Sequence, residues 1–180
     1  MDQENKTALE STKSEFFMTR IFDAPCDLVF KSWTERERLM HWWGPKGFTM
    51  RACNIDLRSG GVFHYGMQAP DGGVMWGKWI FREIVRPERL IFVVSFSDEA
   101  GGEMRHPWAP DWPLKTLSTL SFSEHYGRAT LNAQGVPLDA SESERAAFEA
   151  GHESMRQGWS GTLDQLAQYL AKPEPYLAKA

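Results

Sequence analysis

Residues 141–170 read SESERAAFEAGHESMRQGWSGTLDQLAQYL, the longest periodic segment of the chain. Ser141 followed by Glu144 is a capping box, in which each residue's side chain satisfies the other's free backbone N–H. The spacing predicts one helix from Ser141 to about Leu170. At about 100° per residue, Phe148, His152, Met155, Trp159, Leu163, Leu166 and Leu170 fall on one face. An apolar face of that length has to be covered, and most of what precedes it reads as strand.

Seven upstream segments carry strand character: 15–22 (EFFMTRIF), 48–57, 62–69, 74–85, 89–97 (RLIFVVSFS), 114–123 and 128–134. Ser59-Gly60-Gly61, Pro70-Asp71-Gly72-Gly73, Pro87-Glu88 and the turn at 124–127 join successive strands tightly enough for antiparallel hairpins. After the first strand, Asp23-Ala24-Pro25 opens a short helix over about 25–33. Thr34 with Glu37 reads as another capping box, starting a second short helix that runs to about Trp42; Gly44-Pro45 and Gly47 end it. The expected fold class is α+β: a strongly curved antiparallel sheet of about six or seven strands wrapped on the long C-terminal helix. A single rod does not fill a broad concave surface, so large side chains or a cavity must occupy the space between them.

Composition narrows the function classes. The chain has 180 residues, 42% hydrophobic and 24% charged, which suits one globular domain. That domain is expected over 15–171, with a polar arm at 1–14 and a proline-stopped tail at 172–180. No run approaches the ~18 apolar residues of a membrane span, and MDQENKTALESTK lacks the apolar core of a signal peptide, so the expected compartment is the cytoplasm. A net charge of −4 without a basic block argues against nucleic acid as partner. Cys26 and Cys53 read as free, buried thiols. His41, His64, His106, His125 and His152 are scattered without ligand spacing, so no metal is expected, and no cofactor either. Gly-x-Ser-x-Gly is absent, and Gly60-Gly61 and Gly72-Gly73 read as hairpin turns rather than a phosphate loop.

Aromatic residues make up 13%, including eight tryptophans, enough to fill a large core or line a hollow. By period two, Phe63, Tyr65 and Met67 share the concave face with Trp79 and Phe81, with Leu90, Phe92, Val94 and Phe96, and with Leu120 and Phe122; His64 faces the other side. The candidate ligand-lining set is Trp43, Phe63, Tyr65, Met67, Trp79, Phe81, Phe92 and Leu120 from the sheet side, with His152, Met155 and Trp159 from the helix. Core packing is the competing role for each. Tyr65 and His152 would supply polar groups, the imidazole titrating near working pH. Trp42 and Trp43 either close one end of the sheet or roof the hollow. The segment 98–113 (DEAGGEMRHPWAPDWP) carries Trp108 and Trp112 among three prolines. It reads as a lid, a homodimer contact, or a loop packing both rings on its own domain.

Several local motifs occur together: Phe22-Asp23-Ala24-Pro25 with Val29-Phe30 and Trp33-Thr34; His41-Trp42-Trp43-Gly44-Pro45 with Gly47-Phe48; Asp56-Leu57-Arg58-Ser59-Gly60-Gly61; Glu83 to Leu90; and Gly158-Trp159. On these the chain resembles the START-like, helix-grip (SRPBCC) superfamily over about residues 15–171. More narrowly, it is similar to bacterial proteins resembling the C-terminal domain of the Hsp90 ATPase activator. The resemblance implies a helix-grip fold and a cavity that binds a small hydrophobic or amphipathic molecule. It also implies two alternatives, a cyclase- or dehydratase-type enzyme using the same cavity and a co-chaperone that meets an Hsp90-type partner. The eukaryotic co-chaperone has an N-terminal domain to which nothing in this sequence corresponds, so Hsp90 activation is not expected to follow from the fold alone.

Overall fold

The computed structural model describes residues 14–172. The readings of an N-terminal arm and a C-terminal tail fall almost wholly outside them. The chain runs β1 (Phe16–Phe22), α1 (Cys26–Thr34), α2 (Arg36–Trp42), β2 (Thr49–Ile55), β3 (Val62–Gln68), β4 (Val74–Val85), β5 (Arg89–Ser97), β6 (Glu103–Met104), β7 (Lys115–His125), β8 (Arg128–Leu138), α3 (Glu142–Ala150) and α4 (His152–Leu170). The sheet is antiparallel, in the order β1-β8-β7-β5-β4-β3-β2, with the two-residue β6 added to β5. The α+β architecture expected from the sequence is present. Among the described residues no helix is long and apolar enough to cross a membrane.

Curvature has a local cause. Register shifts between Met50 and Ala52 in β2 and between Phe81 and Glu83 in β4 bend these strands. Two glycines then let rings lie flat on opposite faces of the same strand pair. Tyr65 pairs with Gly77, and a Cβ on Gly77 would sit 2.6 Å from the tyrosine hydroxyl. One step along, Gly66 pairs with Trp76, and a Cβ on Gly66 would sit 2.8 Å from the indole. Tyr65 therefore covers the concave side, while Trp76 covers the convex side, where His64 stacks on it at 5.1 Å.

The helix starts show which local signals hold. Ser141 and Glu144 form the capping box in full: Glu144 N–H donates to Ser141 Oγ at 3.2 Å and Ser141 N–H to Glu144 Oε2 at 2.8 Å. The Thr34–Glu37 box does not form. Thr34 is the last residue of α1, its hydroxyl donates back to the Phe30 carbonyl at 2.9 Å, and Glu35 takes the N-cap position of α2 without a side-chain bond. At α1, Pro25 has no side chain able to cap, and the Glu124 carboxylate of β7 accepts from Cys26 N–H at 2.7 Å instead.

Three boundaries differ from the sequence reading. The segment 98–113 contains β6, which gains its pairing from Phe96 and Ser97 and not from local propensity. β8 continues to Leu138 through Pro137, beyond the stretch that pairs with β1, so the ring removes no ladder bond on that side. The closing helix is two helices that meet at Gly151. A Cβ on Gly151 would lie 2.6 Å from the Trp112 ring, which packs on Phe148 at a centroid distance of 5.2 Å. The glycine lets the indole approach the helix axis, while its N–H still donates to Ala147 O at 3.0 Å and its carbonyl still accepts from Met155 N–H at 2.9 Å.

Gly151→Ala is expected to destabilise the protein by about 1–3 kcal/mol despite alanine's better helix propensity, because the methyl must displace Trp112. Urea unfolding checks this. Trp112→Leu in the same background should recover part of the loss.

Candidate functional site

The hollow starts from a turn. Trp43 ends α2, its N–H donating to Leu39 O at 3.0 Å. Gly44 follows with φ +123°, a conformation that leaves the Met67 sulfur only 2.6 Å from where a Cβ would be. Its carbonyl accepts from Thr162 Oγ1 at 3.1 Å and from Gln165 Nε2 at 2.7 Å. Those two bonds tie the C-terminal half of α4 to the α2–β2 turn.

Below this turn the interior is filled with aromatic rings. Trp33 is fully buried and lies 4.8 Å from Trp42, 5.5 Å from Trp43, 6.1 Å from Trp79 and 6.0 Å from Trp159, centroid to centroid. Trp79 in turn stacks on Phe92 at 4.1 Å and meets Phe63 edge-on at 4.9 Å. Above this floor a cavity of about 300 Å³ remains. Its sheet wall is Tyr65, Met67, Trp79, Phe92 and Val94; its helix wall is Met155, Gly158, Trp159 and Thr162; Trp43, Gly44 and Pro45 close the third side. The volume is at the lower end of small-molecule sites, roughly 300–1,000 Å³.

Burial along the helix face follows from this. Leu163 and Leu166 are fully buried, whereas Met155 and Trp159 are half-buried at the cavity. The C-terminal half of α4 is packed into the interior, while the N-terminal half rests on β1 through His152 and Arg156 and leaves the cavity beside Met155 and Trp159.

Seven of the eleven candidate residues line the cavity: Trp43, Tyr65, Met67, Trp79, Phe92, Met155 and Trp159. Phe63 and Phe81 lie behind the floor with no exposure. Leu120 borders a separate slit of about 30 Å³ on the other flank of α4, with Phe16 and Ala133. His152 stands outside the cavity, with its ring edge-on to Phe148 at 5.3 Å and to Phe16 at 5.8 Å; its Nε2 is buried and meets no partner among the described residues. Gly44, Pro45, Val94, Gly158 and Thr162 also border the hollow. Val94 was legible from the alternation of β5. Gly158 was legible as a small residue beside Trp159. Thr162 carried no signal, because its role depends on the Gly44 carbonyl.

The cavity's electrostatics are simple. Its wall has no Asp, Glu, Lys, Arg or His. Burial pushes the Tyr65 hydroxyl up to about 12, a rise that the neighbouring Trp79 and Trp43 indoles oppose. The Trp43 ring meets the Tyr65 ring edge-on at 5.8 Å, and its buried N–H has no hydrogen-bond partner among the described residues. The phenol thus stays neutral at physiological pH. Among the described residues, no three His, Cys, Asp or Glu side chains converge as metal ligands. A second void of about 50 Å³ leads away from the cavity beneath Met75, Trp76 and Phe96, sharing Tyr65, Met67 and Val94 with it.

An aromatic hollow clamped between a bent antiparallel sheet and a C-terminal helix, with two short helices after the first strand, defines the helix-grip architecture of the START-like superfamily. Within it, residues 23–171 match the family described as Activator of Hsp90 ATPase homolog 1-like protein, and the chain belongs to that family. Solved structures of the same fold include a Mycobacterium smegmatis protein (23% identity, TM-score 0.72, covering 91% of this chain and 94% of that one). An Arthrobacter aurescens protein gives 24% identity and a TM-score of 0.73, covering 91% of this chain and 89% of that one. A Nitrosomonas europaea protein gives 23% and 0.70, covering 88% and 94%. At these identities the likeness is one of fold. No functionally curated protein matches the chain.

Burial holds the imidazoles of His152 and His106 below their usual range, with Glu149 partly opposing the shift at His152. The unfolded chain therefore takes up these protons first, near pH 6.5. Their contribution is full above that pH and is lost as pH falls through it toward the lower folded values. Thermal melts at constant ionic strength should show Tm falling between about pH 7 and pH 5.5. His152→Gln should make that fall smaller.

Proposed function

We propose that the protein binds a small, uncharged, predominantly apolar molecule in the cavity between the sheet and α4. The observation that carries this reading is the wall itself: aromatic and aliphatic side chains, no ionisable group except a tyrosine that remains protonated, and a rigid floor of stacked tryptophans. A charged guest would lose its hydration with nothing to replace it. A flat apolar guest gains burial at ~25 cal/mol per Å², so one that covers about 200 Å² gains about 5 kcal/mol before ordering costs. Weak affinity, a Kd of roughly 0.1 mM or above, is what such a site delivers.

The same wall weighs against a cyclase- or dehydratase-type reaction. That chemistry calls for an acid or base poised near working pH at the reacting atoms. His152, the one imidazole considered for that role, faces Phe16 and Phe148 instead.

Gly158 provides the test. It stands at the cavity mouth on α4, and a Cβ there meets nothing within 4 Å. Gly158→Leu should occupy the mouth while raising helix stability by about 0.5–1 kcal/mol. Titration with the neutral fluorophore N-phenyl-1-naphthylamine should show binding to the wild type and at least tenfold weaker binding to the variant. Equal binding by both proteins would overturn the proposal.

A further inference from the structure

An apolar groove lies outside the helix-grip cavity. It has a volume of about 450 Å³ and runs between the β3–β4 hairpin tip (residues 69–75) and the segment 96–108. Phe48, Met75 and Phe96 form its apolar base. Of the seven large hydrophobic residues left exposed among the described residues, three belong to this groove: Val74 (47% exposed), Met104 (49%) and Trp108 (77%). Apolar surface concentrated around one concavity marks a binding surface, whereas single exposed hydrophobics need no explanation.

The groove's wall is held from several sides. Asp98 Oδ1 accepts from Gly102 N–H at 2.7 Å, and Lys78 Nζ donates to Gly101 O at 2.8 Å. The His106 ring meets Phe96 edge-on at 4.6 Å, and its Nδ1 accepts from Trp108 N–H at 3.2 Å. Trp108 is therefore presented by a braced backbone while its ring stays in solvent.

The charged residues lining the groove are mostly acidic. Asp71, Asp98 and Glu99 lie on it, and Arg105 is the single cation among its lining residues. That guanidinium is already engaged: Nη1 donates to Glu144 Oε1 at 2.7 Å and points toward the Pro110 and Trp112 carbonyls at 3.4 and 3.5 Å. What faces a guest is the Glu99 carboxylate, with those of Asp71 and Asp98, each of which accepts one backbone N–H (Gly73 at 3.0 Å, Gly102 at 2.7 Å) and keeps its charge, beside an open indole face. Carboxylates attract cations, and an indole face does so as well through its quadrupole.

We infer that this groove is a second binding site, and that it takes a small apolar cation, an aryl- or alkyl-ammonium compound. The aryl or alkyl part lies on Phe48, Met75 and Met104, and the ammonium sits at Trp108 within reach of Glu99 and Asp71. The inference is independent of the inner cavity, whose uncharged wall selects against such a guest.

Three naphthalene probes of near-equal size separate the possibilities: 2-(1-naphthyl)ethyltrimethylammonium, 2-(1-naphthyl)ethanol and 1-naphthylacetate. Each is titrated into ¹⁵N-labelled full-length protein, and the Trp108 indole N–H resonance is assigned by its loss in Trp108→Ala. The expected result is that the cation binds at least tenfold more tightly than the carboxylate, with the alcohol between, and shifts the Trp108 resonance. Trp108→Ala should weaken the cation at least tenfold. Asp71→Asn with Glu99→Gln should weaken it severalfold and flatten its salt dependence. Gly158→Leu should leave it unchanged. Equal affinity for the three probes, tightest binding of the carboxylate, or cation binding that survives Trp108→Ala would overturn the inference. Loss of cation binding in Gly158→Leu would also overturn it, by placing the guest in the inner cavity. So would a homodimer by light scattering in which the Trp108 resonance ignores the cation, since the ring would then belong to a contact between copies.

Discussion

The fully buried indole of Trp33 is the contact on which the rest of the interior depends. It joins α1 to α2 through Trp42 and Trp43, to the sheet through Trp79, and to α4 through Trp159. Its own N–H is buried without a partner among the described residues, which costs on the order of 1–3 kcal/mol. The arrangement tolerates that cost because a large, flat, rigid ring reaches four neighbours at once. It also fixes the depth of the hollow. Trp79 and Trp159 lie nearly parallel to it, at 27° and 28°, so the floor is a stack of planes that has little freedom to collapse upward.

The hollow stays open because α4 is held differently along its length. Thr162 and Gln165 anchor the C-terminal half to the Gly44 carbonyl, and Leu163 and Leu166 are packed away entirely. The N-terminal half begins at Gly151, where the Trp112 ring is wedged against the helix. Trp112 and Trp108 thus divide the roles that the sequence left open for their segment. Trp112 packs on its own domain through Phe148, and Trp108 remains in solvent.

How far the sequence could be read follows from the range of each interaction. Strand faces were legible because alternation is enforced residue by residue, and the Ser141–Glu144 box was legible because both partners lie within one turn. The break at Gly151 was not, because its cause is a ring that arrives from 39 positions earlier in the chain, at Trp112. Thr34 and Glu37 had the spacing of a box, but the Thr34 hydroxyl had a nearer acceptor in the Phe30 carbonyl. For the site, period two selects the concave face and says nothing of position along it. Phe63 and Phe81 share a face with Tyr65 and Trp79, yet they lie where the sheet is already filled. A helical wheel likewise put His152 beside Met155, but not on which flank of α4 its ring would settle.

The paired glycines on β3 and β4 have a structural consequence. At Gly66 and Gly77 the strand pair carries Tyr65 flattened on one surface and Trp76 on the other. Tyr65 borders the inner cavity, Trp76 borders the outer groove, and both border the small void that lies between them. Neither ring can be propped up by a larger neighbour without changing the shape of the chamber it faces. Reshaping either chamber therefore means leaving both glycines in place and changing side chains elsewhere along its wall.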